Sequence, residues 1–312
     1  MKIAFLFPGQ GSQAVGMGAD LAANVPASLK IIEEANDQVG YKLDSFCFYG
    51  PADRLSQTEV TQPALFTISI AALKALQEQG VTAEAAAGHS VGEYAALVAA
   101  GAIDFSTGLR LVSRRGLAMK RAAAAAPGSM AAVLGLESNI VAEVCTEAVN
   151  AGAGTVSPAN FNGGGQVVIS GSPAAVEAAS VLAKERGARK IIPLAVSGGF
   201  HSPLMAPAAE EVRAFLETTS VADAKIPVVA NVTADYETEA SEIKNNLAAQ
   251  IEGTVRWEES ILRLLNDDFD FFIELGSGSV LAGLLKRISK ETRVCSVSDT
   301  AGLAAAVSAV KN

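Results

Sequence analysis

Apolar residues fall along this chain in two alternating patterns. Short runs of β-type residues give way to longer Ala- and Leu-rich stretches of helical character. The first pattern predicts a strand over residues 2–7 and buried strands over 226–232 and 269–275. The second predicts a helix over 65–79, closed by Gly80, and another over 91–100, closed by Gly101. A long helix follows over 104–126, with Asp104 as its N-cap and Pro127-Gly128 as its stop. Gly276 and Gly278 lead into a further helix over 280–289. Strands that alternate with helices imply a mainly parallel sheet covered by helices, an α/β fold class.

Between residues 128 and 196 the order changes. Strand 130–136, helix 139–151, strands 155–160 and 166–171, helix 173–187 and strand 190–196 make the order βαββαβ, which is ferredoxin-like. This stretch reads as a small subdomain inserted into a large, α/β-hydrolase-like subdomain built from 1–127 and 197–312. No internal repeat is visible, and the alanines at 122–126 read as a helix end.

Composition narrows the classes. The 312 residues are enough for a sizeable core, and 50% hydrophobic against 18% charged residues describes a compact chain rather than a disordered one. Aromatic residues are only 5%, so Ala, Val, Leu and Ile must fill that core. No apolar run reaches the roughly eighteen residues of a membrane span. The first apolar stretch is cut by Pro8 and is too short for a signal peptide, so a cytoplasmic protein is expected. Cys47, Cys145 and Cys295 lie far apart, with no spacing that suggests zinc or a disulfide framework. The net charge of −9 argues against non-specific nucleic-acid binding.

Gly88-His89-Ser90-Val91-Gly92 matches G-x-S-x-G, a sharp strand-to-helix turn that exposes a serine at a helix N-terminus. The following helix is convincing. The preceding 82–87 is Ala-rich and a poor strand by propensity. Of the 2 histidines, His89 is adjacent to Ser90 and should point elsewhere, as a structural or pocket residue. His201, in the Gly-rich turn after strand 190–196, is then the candidate base, since its imidazole can take the serine proton and return it to a leaving thiol. Gly9-Gln10-Gly11-Ser12-Gln13-Ala14 formally matches a dinucleotide fingerprint. That reading needs an acid at the end of a second strand, and Glu33 and Glu34 fall in a helical stretch instead.

Ordered blocks then carry a resemblance. They are Phe7-Pro8-Gly9-Gln10-Gly11-Ser12-Gln13, Thr61-Gln62-Pro63-Ala64, the segment from Gly88 to Leu97, Arg115-Gly116 with Met119, Phe200-His201-Ser202-Pro203-Leu204-Met205, and Val255-Arg256-Trp257. Together they resemble the malonyl-CoA:acyl carrier protein transacylases. The resemblance implies that Ser90 carries the acyl group and His201 acts as acid and base. It implies that the backbone carbonyl of Gln250 orients His201, that the N–H groups of Gln10 and Val91 form the oxyanion hole, and that Arg115 holds the substrate carboxylate. Read without the resemblance, Arg115 would be a helix-surface charge beside Arg110 and Arg114. Asn160, with Asn162, would line the cleft between subdomains, or would serve only turn chemistry. Gln62 would line the pocket or start a helix.

The implied reaction is ping-pong transfer of malonyl from malonyl-CoA to the phosphopantetheine thiol of holo acyl carrier protein, in fatty-acid biosynthesis. It needs no metal or redox cofactor, and malonyl-CoA is a substrate. An acidic chain must still offer an acidic carrier a basic patch, for which Lys184, Arg186, Arg189 and Lys190, or Lys286, Arg287, Lys290 and Arg293, are the clusters available. Either cluster can equally be a solvated helix face. Thr254, Gly163-Gly164-Gly165 and Gly276-Ser277-Gly278-Ser279 depart from the commoner pattern without touching a catalytic side chain. The rival readings are a serine hydrolase or thioesterase, a non-catalytic acyl- or carrier-binding subunit, and an acyltransferase for polyketide extender units.

Overall fold

The structure, a computed structural model, describes residues 1–311. Its strands are β1 (Ile3–Phe7), β2 (Ala85–Gly88), β3 (Ser129–Leu134), β4 (Val156–Gly163), β5 (Gln166–Gly171), β6 (Lys190–Pro193), β7 (Val228–Val229), β8 (Tyr236–Glu237), β9 (Phe271–Leu275) and β10 (Arg293–Val297). They form a 6-stranded sheet of order β10-β9-β1-β2-β7-β8 and a 4-stranded sheet of order β4-β5-β3-β6. The large sheet is parallel except where β8 turns back on β7. The small sheet is antiparallel throughout. The fold is therefore mixed α/β, with a mainly parallel sheet and a small antiparallel one.

Alternation along β1 sets the layers. Ile3, Phe5 and Phe7 face one apolar cluster with the long helices Thr58–Glu78 and Phe105–Ala125. Ala4 and Leu6 face a second cluster with Trp257, Ile261, Phe272, Leu281 and Leu285. The small sheet packs a core of its own from Val133, Val144, Val167, Ile169 and Ala179. Among the described residues no helix is long and apolar enough to cross a membrane.

Several elements differ from expectation for identifiable reasons. Residues 85–88 are a strand despite their alanines. They lie between β1 and β7, fully buried, so pairing on both sides rather than their own propensity makes them a strand. The helix expected over 65–79 begins at Thr58 and runs through Pro63, which lies near its start and forfeits one backbone bond. The strand expected over 226–232 is confined to Val228–Val229, because the N–H of Asn231 turns aside to the Glu93 carboxylate at 2.8 Å. The strand expected over 190–196 stops at Pro193. Glu33 and Glu34 lie in helix Pro26–Val39, as the rejection of a dinucleotide site required. Helices Ala206–Glu217, Ala240–Gln250, Trp257–Asn266 and Thr300–Lys311, and strand β10, had no counterpart in the sequence reading.

Two features place the site. Phe7 pairs with Gly88, so the turn after β1 runs beside the turn after β2. The two sheets are joined where Val255 N–H donates to Ala159 O at 2.8 Å and Phe161 N–H to Val255 O at 2.9 Å. The Thr254 hydroxyl adds a bond to Pro158 O at 2.7 Å. Asn160 is thereby held over the C-terminal ends of the parallel strands, where α/β sheets gather their ligands.

Candidate active site

Ser90 sits at the tip of the turn after β2 with φ 53°, a left-handed conformation that a serine adopts only under constraint. Asn231 supplies part of the constraint. Its Oδ1 accepts from Ser90 N–H at 2.7 Å and its Nδ2 donates to Gly88 O at 2.6 Å. The flanking glycines supply the rest: a Cβ on Gly92 would lie 2.1 Å from Phe7 O, and one on Gly88 2.0 Å from the Gly92 carbonyl carbon. Gly92→Ala should therefore lower stability by at least about 1–3 kcal/mol, read as a shift in the urea midpoint, because backbone and not a flexible side chain must move.

His201, also at positive φ (56°), places Nε2 2.7 Å from Ser90 Oγ. Its Nδ1 faces Gln250 O at 2.8 Å and Gly253 O at 3.0 Å. Carbonyl oxygens only accept, so the proton belongs on Nδ1 and the lone pair of Nε2 is directed at the serine. The Gln250 carbonyl is free to do this because it ends helix Ala240–Gln250. Burial first, and the charge of Arg115 second, push the His201 imidazole down to about 3. The ring is neutral throughout the physiological range.

Arg115 is no surface charge. It projects inward from helix Phe105–Ala125 and is 1% exposed, while Arg114 lies outside over the Phe215 ring. One terminal nitrogen donates to Gln62 Oε1 at 2.8 Å. The other donates to Gln250 Oε1 at 2.8 Å and to Ser90 Oγ at 3.0 Å. Among the described residues its Nε has no partner, and the hydrogen bonds of its terminal nitrogens go to uncharged groups. Burial lowers its pKa, but a guanidinium remains charged at neutral pH. Gln62 is buried and held in turn by Thr58 Oγ1 and Met119 Sδ, so it aims the arginine rather than merely starting a helix.

Two adjoining hollows lie at the site. The inner one, about 90 Å³, is lined by Ser90, His201, Arg115, Met119, Met130 and Phe200, among others. The outer one, about 530 Å³, runs past Asn162, Gly11 and Ser279 to Arg287. Gln10, His89, Asn160 and Leu194 line both. The inner hollow suits a short acyl group, and the outer one a slender arm. His89 is turned from the serine as expected: its Nε2 pairs with Asn162 Oδ1 at 3.0 Å and its ring lies against Trp257. Gln10, in the turn after β1, lines the inner hollow with the serine, and Val91 stands at the head of helix Gly92–Ala99. Of the two basic clusters, Arg186 is spent on Glu143 and Glu147, whereas Arg287 stands at the outer mouth. A larger hollow of about 660 Å³, lined by Tyr41, Phe46, Leu117 and Phe215, shares no residue with this cleft. Among the described residues no group of three or more His, Cys, Asp and Glu is placed to hold a metal ion.

Sequence reasoning missed Asn231, Glu93, the Gly253 carbonyl and the Gln250 side chain. Asn231, Gly253 and Gln250 reach the serine turn, His201 or Arg115 from far along the chain, whereas Glu93 lies one turn past Ser90 and only its partners Asn231 and Gln250 are distant.

Comparison with known proteins agrees with this geometry. The acyl transferase domain family matches residues 4–306. The malonyl CoA-acyl carrier protein transacylase of Bacillus subtilis (strain 168) is 46% identical over 99% of this chain and 98% of its own length. The crystal structure of the acyl-carrier-protein-S-malonyltransferase from Bartonella henselae superposes with a TM-score of 0.96 at 39% identity, covering 100% of both chains. A malonyl-transacylase in complex with its type II polyketide acyl-carrier protein superposes with a TM-score of 0.95 at 40% identity, covering 99% of this chain and 100% of that one.

Proposed function

Because this chain belongs to the acyl transferase family, we propose that it moves a malonyl group from coenzyme A to the phosphopantetheine thiol of an acyl carrier protein, through a malonyl ester on Ser90. The observation that carries the substrate is Arg115: a buried guanidinium 3.0 Å from Ser90 Oγ with no carboxylate partner of its own. Such a charge invites an anion one short acyl length from the reacting carbonyl, and a guanidinium grips a carboxylate in two places.

The steps follow from the geometry. His201 Nε2 takes the proton as Ser90 Oγ attacks the thioester carbonyl. The carbonyls of Gln250 and Gly253 hold the imidazolium that forms. The N–H groups of Gln10 and Val91 receive the oxyanion. His201 protonates the departing coenzyme A thiolate, and Arg115 keeps the acyl carboxylate in place. The carrier thiol then enters through the outer hollow, gives its proton to His201 and takes the acyl group, and His201 returns that proton to Ser90 Oγ as the ester breaks. Asn160 and His89 line the path of that arm. Malonyl-CoA is a substrate here, not a cofactor.

We read the pathway as fatty-acid synthesis and the compartment as the cytoplasm. The fold reads as an α/β-hydrolase-like unit, 1–127 and 197–312, carrying a ferredoxin-like unit at 128–196. Support for the second unit is the order β3, helix Ser138–Asn150, β4, β5, helix Pro173–Glu185, β6, together with its separate core.

Intact-protein mass spectrometry tests the reaction. Malonyl-CoA should give one malonyl adduct on Ser90, lost as malonyl-carrier appears. An adduct lost only to water would make the chain a hydrolase, and no adduct would end the proposal. Carriers of fatty-acid and polyketide type, offered in parallel, decide the pathway.

The same geometry predicts a pH profile. With the His201 imidazole down at about 3, the half-reaction with malonyl-CoA should show no loss of kcat between pH 8 and pH 5. A rapid-quench series that found kcat falling with an apparent pKa near 6.5 would contradict a buried neutral base.

A further inference from the structure

The reaction leaves one buried charge beside the site unused. Glu93, on helix Gly92–Ala99 one turn past the nucleophile, has no exposed surface. Its Oε2 accepts from Asn231 N–H at 2.8 Å and from Gln250 Nε2 at 3.1 Å, and its Oε1 has no partner. The other end of the same Gln250 amide accepts from Arg115 at 2.8 Å. A carboxylate and a guanidinium thus face one amide from opposite sides, without an ion pair between them. Beyond Glu93 lies a second buried acid, Glu237 of β8. Its Oε2 accepts from Asn246 at 2.8 Å and its Oε1 is again unpartnered.

We propose that Glu93 is the counter-charge of Arg115 in the empty site and that it takes up a proton when the substrate's carboxylate arrives, so that binding of a carboxylated acyl group and protonation of this buried acid are one coupled event. The inference rests on the carboxylate reading of Arg115. In the empty site Arg115 is balanced, through Gln250, by ionised Glu93. Malonyl binding brings a second anion to the same guanidinium. Keeping both carboxylates ionised in a dry interior is costly, and the buried acid is the one that can neutralise. The proton comes from solvent, adds to the unpartnered Oε1, and returns to solvent when the acyl group leaves. An acetyl group brings no charge and leaves Glu93 ionised. Glu93 touches no substrate atom; it acts through Gln250 and Arg115, as a positioning residue.

The surroundings agree. Burial raises the Glu93 carboxyl, while the Asn231 and Gln250 hydrogen bonds and the Arg115 charge hold it part of the way back. Burial, and then the charge of Glu93, raise Glu237, with Glu242 adding to the effect. From its own helix Glu93 is flanked by Tyr94, whose hydroxyl burial pushes up to about 12. His201 and His89 are both lowered by burial and stay neutral. Helix Thr58–Glu78 presents the uncharged Gln62 to Arg115. Glu93 and Glu237 are therefore the groups here that can change charge near neutral pH. Linkage gives the sign: a ligand that prefers the protonated acid binds more weakly as pH rises, by at most about tenfold per unit for one proton.

Calorimetry on Ser90→Ala protein, which binds without transfer, tests this in buffers of different ionisation enthalpy. Malonyl-CoA should take up more protons than coenzyme A or acetyl-CoA at pH 7.5, and Glu93→Gln in that background should abolish the excess. In enzyme with Ser90 intact, Glu93→Gln should flatten the rise of KM for malonyl-CoA with pH. If Glu93→Gln does not fold, Glu237→Gln replaces it and must reduce the excess. Equal uptake for malonyl-CoA and coenzyme A, with malonyl affinity still dependent on Arg115, overturns the coupling alone. Malonyl-CoA that binds no better than acetyl-CoA overturns the carboxylate reading and this inference with it.

Discussion

Ser90→Ala should reduce malonyl transfer by on the order of 10⁴-fold or more and abolish the covalent adduct. The hydroxyl removed is the atom on which His201 Nε2 (2.7 Å) and Arg115 (3.0 Å) converge. Among the described residues that line the inner hollow, Ser90 alone carries a hydroxyl or thiol, and Cys47 and Cys145 are buried elsewhere, their thiols pushed up by burial to about 12. The fold should survive, since Asn231 anchors the turn through backbone atoms that alanine retains. Coenzyme A thioesters should still bind, so the loss belongs in kcat. Progress curves with the variant decide this. Residual transfer within a hundredfold of the wild type would mean that the acyl group travels by another route.

Arg115→Ala should be the second large effect, and it should be selective. Removing one partner of a buried charge pair costs about 3–5 kcal/mol, or roughly 10²- to several times 10³-fold in malonyl kcat/KM. Acetyl transfer should be spared or improved, because an acetyl group offers the guanidinium nothing and leaves it unpaired. The ratio of malonyl to acetyl kcat/KM is the quantity to measure. An unchanged ratio would place the carboxylate elsewhere. Lysine should restore little, because it cannot span Gln62, Gln250 and the substrate at once.

What could be read in advance divides along a physical line. Ser90 was legible because the turn that exposes it needs small residues at fixed spacing, and the backbone contacts at Gly88 and Gly92 show why. His201 was legible by elimination, since the chain has 2 histidines. Arg115 was not legible from its own surroundings. Arg110, Arg114 and Arg115 share one helix, and only packing decides that Arg115 faces inward. The resemblance identified it, and the structure supplies the reason. The Gln250 carbonyl likewise came from the resemblance, while the neighbouring Gly253 carbonyl came from nothing in the sequence. Asn231 lay beyond both, and Glu93, although inside the matched segment, was given no role by either. Asn231 reaches the serine turn across 141 positions, and its role depends on β7 stopping short. The alternation of strand and helix gave the parallel sheet. It misjudged β2, whose alanines are dictated by neighbours on both sides rather than by their own preference.

The inner hollow around Ser90 is only about 90 Å³, and it shares four lining residues with the outer one. Donor and acceptor must therefore take turns in a single berth. The donor departs as a thiol and the acceptor as a thioester of nearly the same energy as the one that entered, so the enzyme has no downhill direction of its own. It works as an exchange, not a pump. When coenzyme A accumulates, the charged serine will hand its cargo back as readily as forward, and net flow will follow the ratio of loaded to empty carriers on the two sides.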